Sequence, residues 1–137
     1  MNDIVLNKKV SIERCVSQIR DYYGRKSDVV FAEDFIKQDA IALNLQRICE
    51  MAIDAANHVI KTKKLGLPQD SVESFYLLHR AGLINQTMMA QMKGMVGFRN
   101  VLVHEYKEMD LQIMADIIEN HLCEPLEFVN LVLKIVP

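Results

Sequence analysis

The sequence predicts an all-α protein, an up-and-down bundle of about five helices forming a single domain over residues 1–137. Three observations lead there. Apolar residues recur at three- and four-residue steps along most of the chain, no run sustains the two-residue alternation of a strand, and only five Gly and three Pro interrupt the pattern. With 50% hydrophobic and 25% charged residues, the composition is that of a globular chain with a core and not of a disordered segment.

The first helix is expected from about Asp3 to Tyr23, with Val5, Ile12, Val16, Ile19 and Tyr23 facing inward, before Gly24 and the polar run to Asp28 stop it. A long second helix follows from about Glu33 to Lys64. Its inner face repeats Ile41, Leu45, Ile48, Ala52, Ala55 and Val59, and Lys61, Lys63 and Lys64 suit the negative end of the helix dipole ahead of Gly66 and Pro68. Asp70 and Glu73 have capping-box spacing before Phe75, Leu77 and Leu78, so a third helix of about ten residues should close at Gly82. Asn85 is the expected cap of the fourth, which carries Met88, Met92, Met95, Val96, Leu102 and Val103. The fifth starts near Asp110 and carries Leu111, Met114, Ile118, Leu122, Leu126, Val129 and Leu133, with a kink at Pro125. Short links between long amphipathic helices imply antiparallel neighbours.

A formal net charge of −2 and a pI near 6.1 exclude a broad basic surface, so any nucleic-acid contact must come from a local patch or an assembled cleft. Cys15, Cys49 and Cys123 are odd in number, far apart and set in apolar helical pattern. That fits reduced, buried structural thiols, and neither a disulfide frame nor zinc spacing. No stretch reaches membrane-spanning length and the N-terminus lacks the apolar run of a signal peptide, so the expected place is the cytoplasm, with no membrane contact. The eight methionines read as core and dimer contact.

Chemistry is concentrated in Phe98-Arg-Asn-Val-Leu-Val-His-Glu-Tyr106, where Arg99, His104 and Tyr106 place three phosphate-capable side chains within eight residues. Arginine supplies a permanent cation whose donors match a phosphate, and histidine trades a proton near neutrality. On a wheel of about 100° per residue, Lys93, Gly97, Asn100 and His104 share one polar face, and Gly97 leaves room there for a ligand or a second backbone. Arg99 lies about 140° from His104, within the stripe of Met92, Met95, Leu102 and Val103, where a guanidinium must be paired or directed into a cleft. The two can meet if the helix ends near His104, if the arginine wraps, or if a two-fold dimer brings two copies of the pair around one cleft.

Arg99, four residues, His104, one residue and Tyr106 resembles the R-x4-H-x-Y signature of HEPN-domain proteins, specifically the HepT-like toxins paired with MNT nucleotidyltransferases. The likeness covers nearly the whole chain, through Asp39-Ala-Ile-Ala-Leu-Asn-Leu-Gln-Arg47, Glu50-Met-Ala-Ile-Asp-Ala-Ala-Asn-His58 and Met95-Val-Gly-Phe-Arg-Asn-Val-Leu-Val-His-Glu-Tyr106. It implies a compact helical homodimer acting as a metal-independent endoribonuclease, in which the 2′-hydroxyl of RNA attacks the adjacent phosphorus and leaves a 2′,3′-cyclic phosphate. It implies His104 as general base or acid, Arg99 as stabiliser of the charge developing on the phosphoryl oxygens, and Asn100 as a group that orients His104 or binds phosphate. A further implication is that the MNT antitoxin transfers AMP to Tyr106, adding charge and bulk beside the RNA site, with Lys107 near enough to attract the nucleotide. No metal and no cofactor are expected.

Two other classes compete with the enzyme. One is a non-catalytic accessory subunit of a small nucleotidyltransferase, binding a nucleotide or partner; the other is a purely structural helical dimer. The intact triplet of Arg99, His104 and Tyr106 favours the enzyme, since neither rival needs an acid-base histidine beside an arginine. Asp54 and His58, one turn apart, are expected to bond locally, and His79 and His121 to lie at the surface or between helices. The Lys61, Lys63 and Lys64 group reads as a helix-end charge cluster that meets RNA only if the fold brings it near His104.

Overall fold

The computed structural model of the protein describes residues 2–136. Six α-helices build it: α1 (Asp3–Gly24), α2 (Phe35–Lys63), α3 (Ser71–Arg80), α4 (Gln86–His104), α5 (Leu111–Asn120) and α6 (Glu124–Ile135). Short 3₁₀ turns at Phe31–Glu33 and Tyr106–Glu108 precede α2 and follow α4. Side-chain oxygens of Asn2, Asp34, Asp70, Asn85 and Asp110 accept backbone N–H groups in the first turns, satisfying donors that a helix start leaves open.

Three boundaries differ from expectation. The helix expected to run from Asp110 through a kink at Pro125 is two helices, α5 and α6. Pro125 lies in the first turn of α6, where its missing N–H leaves no bond unmade, so the chain restarts there instead of bending. The second helix begins one turn-cap later than Glu33, with Asp34 accepting from the Lys37 N–H at 3.0 Å. At its far end Lys64, and not a glycine, takes the left-handed conformation at φ 54° that closes α2.

Helix α1 packs on α2, α2 on α4, α4 on α6 and α6 back on α1, closing a four-helix ring, and α3 lies against α2 and α4. The core is continuous through that ring. Val5, Ile12, Ile19, Ile41, Ala52, Val59, Phe75, Met92, Phe128, Val129 and Val132 are essentially inaccessible. Phe75 and Phe128 meet edge to face with centroids 5.1 Å apart, tying α3 to α6. Two expected core residues fall outside it. Val103 is 39% exposed although the wheel puts it on the face of the buried Met92 and Val96; it is the next-to-last residue of α4. Cys123 is exposed, in the turn between α5 and α6, while Cys15 and Cys49 are buried within α1 and α2. Among the described residues no helix is long and apolar enough to cross a membrane.

Candidate active site

Helix α4 delivers the sequence motif and then stops where it is needed. Asn85 starts the helix, the buried Met92, Val96, Phe98 and Leu102 hold it against the ring, and His104 is its last residue. Glu105 leaves helical geometry at φ −140° and ψ 39° while its N–H still bonds the Val101 carbonyl at 2.9 Å. The 3₁₀ turn that follows folds Tyr106 back toward the start of α2.

Arg99 crosses to α2. Its side chain is 27% exposed, with Nη2 donating to Glu50 Oε1 at 3.4 Å and Nη1 to Asn100 Oδ1 at 3.2 Å. Gln46 Nε2 donates to the same Glu50 oxygen at 3.2 Å. The arginine is thus partnered as an apolar-stripe guanidinium must be, but loosely. Both contacts sit at the long end of hydrogen-bond distance, and its Nε is buried without a partner, a donor that desolvation leaves uncompensated. Burial pushes the neighbouring Cys49 thiol up to about 12, with the Arg99 charge opposing the shift, so that thiol is inert at neutral pH.

Tyr106 reaches the same helix two turns and more nearer its start. Its hydroxyl donates to Asp39 Oδ1 at 2.6 Å. Burial, and then the Asp39 hydrogen bond and charge, push the phenol up to about 12. Asp39, Gln46 and Glu50 are spaced seven and four residues apart, so they form one polar stripe along α2 that faces α4 and its tail. The sequence reading gave these three no role; that i, i+7, i+11 spacing was the available signal.

His104 and Asn100 are exposed, as are Lys93 and Gly97 of the same α4 face, and a side chain added at Gly97 would meet nothing within 4 Å. Because α4 stays helical through His104, Arg99 with Asn100 and, about 16 Å nearer the start of α2, Tyr106 engage the α2 stripe at separate points, and His104 is not turned onto the Arg99 side. Asn100 Oδ1 accepts from Arg99 Nη1, so its side chain lies toward the arginine.

The remaining polar residues resolve one by one. Asp54 pairs with Lys8 at 3.4 Å and His58 with Asn2 at 2.9 Å, so the expected local bond between them does not form. His79 Nδ1 lies 3.1 Å from the Ile84 carbonyl, and His121 sits between Asp116 and Glu124. Lys63 is 24 residues along α2 from Asp39, about 36 Å at the helical rise, so the lysine cluster lies at the far end of the bundle from the motif. Arg14, Gln18 and Arg47 instead line a polar groove of about 420 Å³ between α1 and α2 that also includes Glu50. Among the described residues no three His, Cys, Asp or Glu side chains gather into a group able to hold a metal ion.

The family model described as ribonuclease HepT-like matches residues 12–132. The chain belongs to the HepT-like family. It is 43% identical over 132 residues to the mRNA nuclease HepT of Shewanella oneidensis, a match covering 96% of this chain and 98% of that protein. Among solved structures, the tri-AMPylated HEPN toxin of Shewanella oneidensis in complex with an MNT antitoxin superposes with a TM-score of 0.89 at 42% identity, covering 98% of this chain and 99% of that one. A toxin–antitoxin complex with AMP-PNP matches with the same TM-score and identity over 96% of this chain and 99% of that chain. The HepT-like resemblance implied by the Arg99, His104 and Tyr106 spacing is therefore matched along nearly the full length, and the helical bundle is the HEPN fold.

Proposed function

We propose that the protein is a HepT-type endoribonuclease toxin whose cutting site is built on Arg99, Asn100 and His104, and whose control point is Tyr106. The observation that carries this reading is the docking of Arg99 and Tyr106, from the end of α4 and the turn after it, onto one polar stripe of α2, in a chain 43% identical, over nearly its full length, to an mRNA nuclease. Arg99 is held by a partly exposed ion pair at 3.4 Å, the kind that contributes little net energy, so an RNA phosphate competes with Glu50 for the guanidinium at small cost. His104 then moves protons. It takes the proton of the RNA 2′-hydroxyl as that oxygen attacks the adjacent phosphorus, and it returns one to the 5′-oxygen that leaves, giving a 2′,3′-cyclic phosphate. Arg99 and Asn100 bear on the phosphoryl oxygens as their charge rises.

Within one subunit Arg99 and His104 point about 140° apart around α4, so the working cleft is shared by two subunits of a homodimer, with Arg99 from one and His104 from the other. The open face at Gly97 gives a second copy room to approach. Arg14 and Arg47, along the groove that shares Glu50 with Arg99, supply the local positive charge that a chain of net charge −2 lacks overall. Three free thiols, two of them buried, fit a cytoplasmic protein.

An MNT-type nucleotidyltransferase neutralises the toxin by transferring AMP to Tyr106, which places a phosphodiester charge beside the cleft and repels the RNA backbone. Growth on induced expression separates this reading from the non-catalytic accessory subunit. Wild type should arrest growth and His104→Ala should not, whereas equal toxicity of the two would remove His104 from the mechanism.

A further inference from the structure

The α2 stripe gives the tyrosine a partner whose chemistry the cutting reaction does not use. We propose that Asp39 is the general base of AMP transfer: its Oδ1 takes the phenolic proton of Tyr106 as the phenol oxygen attacks the α-phosphorus of a nucleoside triphosphate held by the partner nucleotidyltransferase. A new bond forms between the tyrosine oxygen and the α-phosphorus, the bond from that phosphorus to the β-bridging oxygen breaks, pyrophosphate leaves, and the proton ends on the Asp39 carboxylate. The inference rests on Tyr106 being the AMP acceptor.

Geometry supports each part. The two residues are 67 positions apart in sequence, so their contact is made by the docking of the α4 tail onto α2 and not by local chain geometry. The 2.6 Å separation lies in the short range of hydrogen bonds from a hydroxyl to a carboxylate. Both residues are exposed, Tyr106 by 38%, so a partner active site has access to the oxygen that must react. Asp34 caps α2 one turn before Asp39, and the Phe31 carbonyl accepts from Gln38 Nε2 at 2.7 Å, which fixes the carboxylate's helix at its start.

The phenol needs such a base. With its titration pushed up to about 12, only about one Tyr106 in 10⁵ is ionised at pH 7, so attack by the free phenolate is negligible there. Asp39 is the charged group that acts on that hydroxyl; Glu105, Lys107 and Glu108 flank the tyrosine on its own turn. As the new bond to phosphorus forms, the phenolic proton becomes strongly acidic and the carboxylate already in contact is its natural acceptor. Once esterified, the tyrosine oxygen has no proton to donate, and its phosphodiester faces the Asp39 charge.

The test is single-turnover AMP addition to the full-length chain by its cognate nucleotidyltransferase with ATP and magnesium, followed by intact mass between pH 6 and pH 9.5. Wild type, Asp39→Asn, Asp39→Ala and Tyr106→Phe are compared after gel filtration has confirmed that each forms the complex. Wild type should gain AMP at a rate that is flat with pH, and Tyr106→Phe should gain none. Asp39→Asn, which keeps the shape, should be slower by about 10²-fold or more at pH 7. Its rate should then climb about tenfold per pH unit as phenolate takes over from the missing base. A merely structural role for Asp39 would lower the rate without tilting the pH profile, and either that flat profile or a wild-type rate in Asp39→Asn overturns the inference while leaving Tyr106 as acceptor. Wild type that gains no AMP on Tyr106 overturns the acceptor reading itself.

Discussion

At the residue scale, Arg99 from α4 and Tyr106 from the turn after it both reach across to α2. The sequence showed that Arg99 sits in an apolar stripe and must be partnered, but not that the partner is Glu50, 49 residues away, nor that Asp39 would take the Tyr106 hydroxyl. Partners so distant follow from how α2 and α4 dock, which spacing along one helix does not encode. The tyrosine contact has a pH signature. Because the folded phenol titrates higher than an unfolded one, the contact's stabilisation is fully present below pH about 10 and is lost as pH rises through about 12. Urea midpoints of wild type and Tyr106→Phe should therefore differ at pH 8 and converge as pH climbs past 10, and a gap that widens in alkali would contradict the assigned direction. Asn100 was legible as a polar neighbour of the motif, while its bond to Arg99 was not, since a wheel places it on the His104 face.

At the scale of elements, the helices were readable because each start carries its own signal. Asp70 and Asn85 cap the helices that their positions predict, and the 3.6-residue period gives Val5, Ile12, Ile19, Ile41, Ala52 and Val59 as core, all of them inaccessible. Pro125 was readable as an interruption but not as a restart. A proline in the middle of a helix kinks it, one in the first turn begins it, and periodicity on both sides of residues 121–123 is the same in either case. Helix α6 is anchored through Phe128, which is fully buried and packs edge to face on Phe75 of α3. Phe128→Ala should cost about 3–5 kcal/mol of folding stability through lost burial and a cavity, read as a lower urea midpoint at unchanged slope. A change below about 1 kcal/mol would mean that α6 is not part of the cooperative core.

For the whole molecule, the fold class was legible and the active arrangement was legible only in part. Period and caps give a helical bundle, and the wheel correctly separates Arg99 from His104, because α4 stays regular up to its last residue. What one chain cannot display is the proposed cleft that would reunite them where two copies meet, and the open surface at Gly97 leaves room for such an approach. A net charge of −2 provides no general electrostatic field for RNA, so the proposed binding needs a focused site. The most direct test is cleavage of RNA in EDTA by purified wild type, Arg99→Ala, His104→Ala and an equimolar mixture of the two variants after subunit exchange. Wild type should cut and leave 2′,3′-cyclic ends, each variant alone should lose about 10²-fold or more, and the mixture should recover cutting through mixed dimers that hold one intact cleft. Cleavage by His104→Ala at the wild-type rate would contradict the account.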